Sequence, residues 1–328
     1  MSNTPPATDR PEGSIGELGE FAVIDRITAG TTMTGSVELG PGDDAAVVTT
    51  PDGRVVISVD MLVDGVHFRS DWAGHEQIGR RAALAAMSDI AAMGAVPTGL
   101  VVAVAAPPSL PAERMLELGR GLSAAAAEAG AALVGGDLTR ADALSLAVTV
   151  IGDLRGVRPV RRSGARAGDV VAVTGRLGWA AAGLTVLSRG FRSPAALVNA
   201  YRVPEPPLAA GPVAAASGAT SMVDVSDGLL ADLGHVAHAS GVAINIRSAS
   251  LQVHPRLVEV AAALGRDPLD WVLTGGDDHA LAATFPHGAT LPPGWEAIGS
   301  VGVPGDLGPV VTVDGAVREG AGGWDHFG

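Results

Sequence analysis

The residues most able to carry chemistry in this chain are aspartates that stand beside glycine or serine and next to apolar runs. A carboxylate in such a setting is rarely left unpaired, because burying it alone is unfavourable by several kcal/mol. Carboxylates that converge usually hold a cation, and hard oxygen donors suit Mg²⁺. Six short motifs share this pattern: Gly42-Asp43-Asp44, Ser58-Val59-Asp60, Ser88-Asp89, Gly135-Gly136-Asp137, Asp224-Val225-Ser226-Asp227 and Gly275-Gly276-Asp277-Asp278.

A set of acids this large favours an anionic ligand that arrives with its own cations, such as a nucleotide polyphosphate. The predicted reaction class is Mg²⁺-dependent phosphoryl transfer or ATP-driven activation. The chain has no Lys, and its 22 basic residues are all Arg. Metal ions would then supply the charge neutralisation that Lys supplies in P-loop enzymes and protein kinases. The lack of Lys also excludes Schiff-base and pyridoxal phosphate chemistry.

Composition excludes further classes. A length of 328 residues suggests about two domains, and the 47% of apolar residues can build a large core. The absence of Cys excludes disulfides and thiol chemistry. A net charge of −13 without a basic cluster disfavours nucleic acids and anionic membranes. The apolar runs are too short to span a bilayer, so we expect a cytoplasmic protein.

The elements that must position these aspartates alternate between helix and strand. Residues 15–29 have apolar side chains at helical spacing and predict one amphipathic helix. The runs on either side of Pro51-Asp52-Gly53 predict a hairpin or adjacent strands. Further helices are predicted over 77–94, 111–129, 179–187, 194–201, 207–216, 229–239 and 255–264. Further strands are predicted over 100–106, 132–134, 144–151, 170–174, 221–225, 242–246 and 280–285.

Both halves therefore mix helices with strands, which predicts an α/β or α+β chain of two lobes. The stretch 152–168 is rich in Gly and Arg and lacks an apolar period, so we place the domain boundary there. The division is a disordered tail over 1–14, an N-terminal ATP- and metal-binding α/β domain over 15–155, and a C-terminal α/β domain over 156–328. The sequence leaves open whether the strands pair in parallel or antiparallel fashion.

Each acidic motif also has a purely structural explanation. Asp43-Asp44 suits a turn, and Asp60 could form a buried salt bridge, with Arg54 as the nearest Arg in the sequence. Ser226 or Asp227 could cap the helix that follows. Asp89 is the sharpest candidate, because it stands in an apolar helix with no basic residue within four positions. Its pattern favours a functional carboxylate.

Taken together and in order, the motifs resemble the thiamine-monophosphate kinase family. The resemblance runs from about Gly16 to Phe327 through GELGEFAVIDRI, GPGDDAAVV, SVDMLVDGVHF, MSDIAAMGAVP, GGDLTR, RRSGARAGDVVAVTG, DVSDGLLADLGH, LTGGDDHAL and GWDHF. It implies an aminoimidazole ribonucleotide synthetase-like fold, with an N-terminal sheet that mediates homodimerisation. It also implies direct, in-line transfer of the γ-phosphate of ATP to thiamine monophosphate, without a phosphoenzyme.

The resemblance implies a role for each motif. Several Mg²⁺ ions would be bound by Asp44, Ser58, the backbone of Val59, Asp60, Asp89, Asp137, Asp224 and Asp227. ATP would contact Gly136, Asp137, Arg162 and Ser226. Thiamine monophosphate would contact His67, Asp277 and Trp324. This chain departs from the family pattern at Ser58-Val59-Asp60, which is often Ser-Thr-Asp, and at Gly275–His279, which is often Gly-Gly-Glu-Asp-Tyr.

Two alternatives stay open at this point. One is another enzyme of the same superfamily, although its selenophosphate synthetases and hydrogenase-maturation dehydratases need a reactive Cys that this chain lacks. A purine-pathway synthetase remains possible. The other is a metal or nucleotide sensor that kept the fold without catalysis. Loss of the metal-binding acids would indicate a sensor, yet the acids are all present.

Overall fold

The computed structural model describes residues 13–41, 46–318 and Gly323. Two compact units make up the chain. The first comprises Met1–Thr49, Val59–Ala83 and Thr98–Thr149, and the second comprises Thr50–Ser58, Leu84–Pro97 and Val150–Gly328. The predicted division at 155/156 stays a prediction. No helix among the described residues is long and apolar enough to cross a membrane.

Helices and strands alternate along the whole described chain. The helices are α1 (Ile15–Leu18), α2 (Glu20–Ala29), α3 (His75–Ala92), α4 (Ala112–Glu128), α5 (Trp179–Ser188), α6 (Ala195–Arg202), α7 (Ala210–Ala216), α8 (Leu229–Ser240), α9 (Pro255–Leu264) and α10 (Pro268–Thr274). The strands are β1 (Val37–Leu39), β2 (Val47–Val48), β3 (Val56–Val63), β4 (Val96–Ala106), β5 (Ala132–Arg140), β6 (Ser145–Asp153), β7 (Val170–Thr174), β8 (Ser221–Val225), β9 (Ala243–Ile246), β10 (Ala280–Phe285), β11 (Glu296–Gly302) and β12 (Val310–Val313).

The first unit is built on a four-stranded sheet in the order β3-β6-β4-β5, in which β4 and β5 run parallel. Helix α4 buries Met115, Leu118 and Leu122 and packs against β5 and α2. The predicted helix over 15–29 is wrong as a single helix. It breaks at Gly19, whose φ of 83° is a left-handed value that glycine adopts without a Cβ clash.

Two further predictions for this unit need correction. The hairpin across Pro51–Gly53 is wrong, because β2 pairs antiparallel with β1 while β3 belongs to the four-stranded sheet. The strand predicted over 132–134 continues to Arg140, so Gly136 and Asp137 lie within β5 and not in a turn after it. A Cβ at Gly136 would lie 2.3 Å from the carbonyl oxygen of Val102 on β4. Only glycine fits that close approach between strands.

Helix α3 begins at His75, whose side chain is buried. Among the described residues its Nε2 atom has no hydrogen-bond partner. Burial, together with the nearby charge of Arg114, lowers the pKa of His75 below its ordinary value, while Glu117 and Asp64 act in the opposite direction. The ring therefore stays neutral to a lower pH than an ordinary histidine does.

The second unit is built on a six-stranded sheet in the order β12-β9-β11-β7-β10-β8. Its strands pair antiparallel, except for the parallel pair β9 and β12. Both senses of pairing, left open by the sequence, thus occur in this protein. Residues of α5, α6, α8, α9 and α10 build the main apolar core against the sheet, including Leu197, Leu229, Leu233 and Leu257, and Ile244 of β9 belongs to the same core.

Helix α10 was not predicted, although its start carries a recognisable signal. Asp267 is the N-cap residue and accepts a hydrogen bond of 2.9 Å from the backbone N–H of Leu269, and Pro268 is the first helical residue. A capping Asp followed by Pro is a common way to begin a helix. The helix places the Gly275–His279 segment directly before β10.

Candidate active site

Two of the predicted metal ligands, Ser58 on β3 and Asp89 on α3, are in direct contact. Ser58 Oγ donates a hydrogen bond of 2.5 Å to Asp89 Oδ2. Both side chains are half-buried, whereas Ile57 and Val59 on either side of Ser58 are exposed. The contact joins residues 31 positions apart within the second unit. Asp89, which has no basic residue within four positions in the sequence, therefore has the hydroxyl of Ser58 as a hydrogen-bond partner.

Asp224 on β8 is buried and is held by two residues that the sequence analysis gave no role. Ser88 Oγ lies 2.8 Å from Asp224 Oδ2, and His279 Nδ1 lies 3.2 Å from the same oxygen. Burial acts to raise the pKa of Asp224. The hydrogen bond and charge of His279, aided by Ser88 and Arg162, outweigh it and leave the pKa below its ordinary value. Asp224 is therefore held as a carboxylate.

The segment Asp277–His279 has a backbone that non-glycine residues seldom adopt. Asp277 has a φ of 67° and His279 a φ of 51°, both in the left-handed region. The segment is held to the end of β8, because the N–H of Asp277 donates to Ser226 O at 2.8 Å and that of His279 donates to Val225 O at 3.0 Å. Non-glycine residues whose backbone adopts such uncommon conformations tend to cluster at functional sites.

Asp278, between these two, serves the start of helix α5. Its carboxylate accepts hydrogen bonds of 2.9 Å from the N–H groups of Trp179 and Ala180. The helix's own N-cap residue, Gly178, has no side chain to do this, and a Cβ there would meet the backbone of Trp271 at 2.8 Å. Burial raises the pKa of Asp278 to about 7, against the backbone donors, which lower it. Asp278 is thus a structural cap supplied from a distant part of the sequence.

Asp227, Asp232 and His235 form a second acidic group at the start of α8. One ligand atom of each lies within 4.8 Å of the others. Asp232 Oδ2 accepts hydrogen bonds of 3.0 Å from the N–H groups of Asp227 and Gly228. Burial, followed by the charge of Asp224, raises the pKa of Asp232 to about 7. The sequence did not single out Asp232.

The capping alternative for Ser226 and Asp227 is wrong. The N-cap residue of α8 is Gly228, and no side chain caps it from that position. Ser226 is half-buried next to Asp227. Arg162, in a 3-10 helix over Arg162–Gly164, has an exposed side chain that lowers the pKa of Asp224 through its charge. Ser226 and Arg162 therefore belong to the neighbourhood of Asp224.

In the first unit, Asp60 and His67 lie on and just after β3. Asp60 is half-buried, on the strand face opposite the exposed Val59 and Met61. Arg54, its suggested salt-bridge partner, pairs instead with Asp52 at 2.8 Å. His67 lies in a tight turn, where its Nδ1 accepts a hydrogen bond of 3.0 Å from the N–H of Val63. That bond leaves the ring hydrogen on Nε2 when the ring is neutral.

Asp137 lies at a partly open cavity of the first unit, with a volume of about 80 Å³. Its walls are mostly apolar side chains of α2, α4, β4 and β5, including Ile24, Ile27, Val104, Met115, Leu118 and Leu133. Gly135 and Gly136 line the same cavity with bare backbone. The cavity therefore joins an apolar interior to backbone amides and a carboxylate.

Two predicted site residues, Asp44 and Trp324, lie outside the described residues, as does Asp43. Gly323 is described, and a Cβ there would meet the carbonyl oxygen of Asp227 at 2.4 Å. The chain at Gly323 thus runs directly against the start of α8. A glycine is required there for a steric reason that the sequence alone does not reveal.

The donor set of the second unit fits a hard divalent cation. Ser58, Asp89, Asp224 and Asp227 offer hydroxyl and carboxylate oxygens, the ligands that Mg²⁺ prefers. Within the described part of the chain, Oδ1 of Asp224 accepts no hydrogen bond, whereas Oδ2 is in contact with two side chains. Oδ1 of Asp224 is therefore available to bind a cation.

Comparison with known proteins first defines the class. Residues 42–154 match the family model described as AIR synthase related protein, N-terminal domain. Hydrogenase maturation protein HypE bound to ATP has the same fold, with a TM-score of 0.64 at 20% identity over 81% of each chain. This is a protein of the aminoimidazole ribonucleotide synthetase-like class, as predicted.

Closer relatives define the family. The chain is 48% identical to the thiamine-monophosphate kinase of Mycobacterium tuberculosis over 98% of its own length and 95% of the relative's. It is 40% identical to that of Corynebacterium glutamicum, over 98% and 97% of the two chains. The chain belongs to the thiamine-monophosphate kinase family. The predictions of this family, of its fold and of an enzyme with kinase activity are confirmed.

Solved structures support the same assignment. The thiamine-monophosphate kinase of Stenotrophomonas maltophilia K279a has a TM-score of 0.79 at 35% identity, and the match covers 92% of this chain and 98% of that one. A structure described as AaThiL complexed with AMPPCP and TMP has a TM-score of 0.78 at 31% identity, covering 95% and 98%.

Proposed function

We propose that this enzyme phosphorylates thiamine monophosphate with ATP in a Mg²⁺-dependent reaction that yields thiamine diphosphate and ADP. Family membership supports the reaction, and AMPPCP, bound by AaThiL, is a non-hydrolysable analogue of ATP. The observation that carries the metal dependence is the direct contact between Ser58 and Asp89, together with the carboxylate of Asp224, which is held by Ser88, the residue before Asp89. These side chains offer oxygen ligands for a cation. Because the chain has no Lys, a bound cation would have to supply the positive charge that Lys supplies in other kinases.

The residues that would hold Mg²⁺ are Asp44, Ser58, the backbone carbonyl of Val59, Asp60, Asp89, Asp137, Asp224 and Asp227. Bound Mg²⁺ would neutralise the charge of the polyphosphate and of the transferring group. The acids act as ligands and not as general bases, because the acceptor phosphate is already ionised near neutral pH. The part left to the protein is mainly to position two anions against each other.

ATP would be contacted by Gly136, Asp137, Arg162 and Ser226. The cavity beside Gly136 suits the adenine base, since its apolar walls can cover a flat ring while the bare backbone of β5 stays accessible. Arg162 carries a permanent positive charge that can face a phosphate.

Thiamine monophosphate would be contacted by His67, Asp277 and Trp324. His67 accepts a hydrogen bond at Nδ1 from the N–H of Val63, so a contact of the ring with an anion would be made through Nε2–H. Transfer would be direct and in line, since an ionised phosphate can attack the γ-phosphorus of ATP without a phosphoenzyme. A cytoplasmic location, where ATP is made and used, is part of the same proposal.

A homodimer is also part of the proposal, with the outer face of β3 as the interface. Ile57, Val59 and Met61 alternate along this edge strand and are each 61–62% exposed. A row of large apolar side chains on an edge strand favours association with another chain. A second copy of the same strand offers a matching surface.

The decisive experiment measures thiamine diphosphate formation from thiamine monophosphate, ATP and Mg²⁺, with and without a chelator. We expect product that disappears with chelator and returns with excess Mg²⁺. Asp89→Asn should remove turnover while the far-UV circular dichroism spectrum stays unchanged. Asp306→Asn, the same chemical change at an exposed loop position, is the matched control and should retain activity.

Other results would redirect the assignment. ATP turnover that requires a purine intermediate, and none with thiamine monophosphate, would move the protein to a sister family. Folded wild-type protein that turns over neither substrate would favour a sensor. Wild-type turnover by Asp89→Asn would refute the metal-ligand role of that residue.

A further inference from the structure

The carboxylate of Asp224 is held in an asymmetric way. Among the described residues, both of its side-chain hydrogen-bond partners, Ser88 at 2.8 Å and His279 at 3.2 Å, contact the oxygen Oδ2. The two partners also lie 3.1 Å from each other, so the three side chains form a closed triangle. All three are buried, with exposed fractions of 0% for Ser88, 4% for Asp224 and 6% for His279.

The hydrogens in this triangle can be assigned from what each group can donate. An ionised carboxylate only accepts, so Nδ1 of His279 must carry the hydrogen that it shares with Asp224. Ser88 has one hydroxyl hydrogen and two acceptors within reach, Asp224 Oδ2 at 2.8 Å and Ala85 O at 2.6 Å. Nδ1–H of His279 likewise has two acceptors within reach, Asp224 Oδ2 and Ser88 Oγ at 3.1 Å, but the contact that competes for the Ser88 hydrogen is shorter, at 2.6 Å.

The backbone brings His279 to this position in an unusual conformation. Its φ of 51° is a value that branched and bulky side chains seldom adopt, and its N–H is bonded to Val225 O, one residue after Asp224. A histidine is thereby placed beside a carboxylate that lies 55 positions earlier in the chain. The neighbouring Asp278 fixes the segment from its other side through α5.

We propose that His279 and Ser88 are positioning residues, which hold Oδ2 of Asp224 so that Oδ1 is left to bind a divalent cation. The proposal rests on the proposed function, in which Asp224 is a Mg²⁺ ligand. Hydrogen bonds to the far oxygen of a ligating carboxylate fix its orientation, and losing such a partner typically lowers metal affinity by about 10–100-fold. His279 thus contributes to the affinity for the metal without touching it.

The test compares His279→Leu with His279→Asn. Leu and Asn have nearly the same shape, but only Asn keeps an N–H donor close to the position of Nδ1. The probe is Mn²⁺ in the presence of AMPPCP, with free Mn²⁺ measured by electron paramagnetic resonance, so that no turnover is needed. Thermal unfolding by circular dichroism checks that both variants fold, and Ser88→Ala is measured alongside.

We expect His279→Leu to lose at least about 10-fold in Mn²⁺ affinity and His279→Asn to stay within about threefold of the wild type. Ser88→Ala should show a smaller loss, since Ser88 shares its hydrogen with Ala85. Equal affinities for the Leu and Asn variants, whether both weak or both normal, would overturn the positioning role alone. Wild-type protein that binds no Mn²⁺ with AMPPCP would overturn the proposed metal dependence and this proposal with it.

Discussion

Two opposing effects act on the pKa of Asp278, and the pH dependence of stability shows which of them is larger. Its burial disfavours the ionised form, whereas the N–H groups of Trp179 and Ala180 favour it. The result is a pKa raised to about 7, against 3.8 for the ordinary group. We therefore predict that the wild type and Asp278→Asn differ in stability by an amount that depends on pH.

The sign follows from proton binding. Between pH 4 and 7 the unfolded chain has released the proton of Asp278, while the folded protein still holds it. The stability that this group contributes is therefore complete below its ordinary pKa and is lost as pH rises to about 7. Over the whole range the change is about 4 kcal/mol, and between pH 5 and 8 it is about 3 kcal/mol. The Asn side chain does not titrate, so its variant lacks this change.

The Asn substitution also has a constant effect. Asn offers one acceptor where the helix presents two N–H donors, so one donor is left unpaired at a cost of about 1–3 kcal/mol at every pH. The informative quantity is the difference in unfolding free energy between wild type and Asp278→Asn. It should fall by about 3 kcal/mol from pH 5 to pH 8.

Urea unfolding followed by circular dichroism at pH 5, 6, 7 and 8 measures this difference directly. Other titrating groups are common to both proteins and cancel in the subtraction. A difference that stays constant over this range would show that the donors of α5 keep Asp278 ionised throughout, and would refute the raised pKa. A rising difference would refute it more strongly.

Three further predictions follow from the described contacts. Gly136→Ala should lower AMPPCP affinity at least about 10-fold by calorimetry, because its Cβ would meet Val102 O. Gly302→Ala, at a strand position with open space away from the cavity, should bind normally, and equal affinities would contradict this prediction. His75→Phe should reduce the loss of unfolding free energy below pH 6.5, by up to about 1.4 kcal/mol per pH unit, because the unfolded wild type takes up a proton at His75 before the folded protein does. Parallel pH profiles of the two proteins would refute this prediction. Met61→Asp should convert a dimer into a monomer in light scattering at micromolar concentration, and a monomeric wild type would reject the interface.

Much of the fold was predictable because its elements are locally encoded. The strand over Ser221–Val225 and the helix that begins at Leu229 have sharp apolar patterns, and the structure places both where the pattern does. Two of the errors lie at glycines. Gly19 breaks a helix through its own φ, whereas Gly136 continues a strand because a neighbouring backbone comes close. The sequence shows that a glycine is present in both cases, but it shows neither the φ of Gly19 nor the backbone that lies close to Gly136.

The candidate site was predictable in its acids and unpredictable in their partners. Asp89 stood out because an apolar helix offered it no basic neighbour, and Ser58 supplies a hydroxyl partner that lies far away in the sequence. Asp278 belongs to one of the acidic motifs of the sequence, and Asp232 was not singled out. Both accept hydrogen bonds from backbone N–H groups at helix starts. The Asp278 cap becomes visible only when elements distant in sequence are brought together, whereas Asp232 bonds to the start of its own helix. The roles of the site residues remain predictions.

The segment Asp277–His279 gives the protein a particular order of assembly during synthesis. Three consecutive residues complete the end of β8, the start of α5 and the setting of Asp224, all of which leave the ribosome much earlier. A domain can reach its native state only after its last required contact has been synthesised. The nascent second unit must therefore wait, with the start of α5 uncapped and a buried carboxylate without its histidine, until most of the chain has been translated.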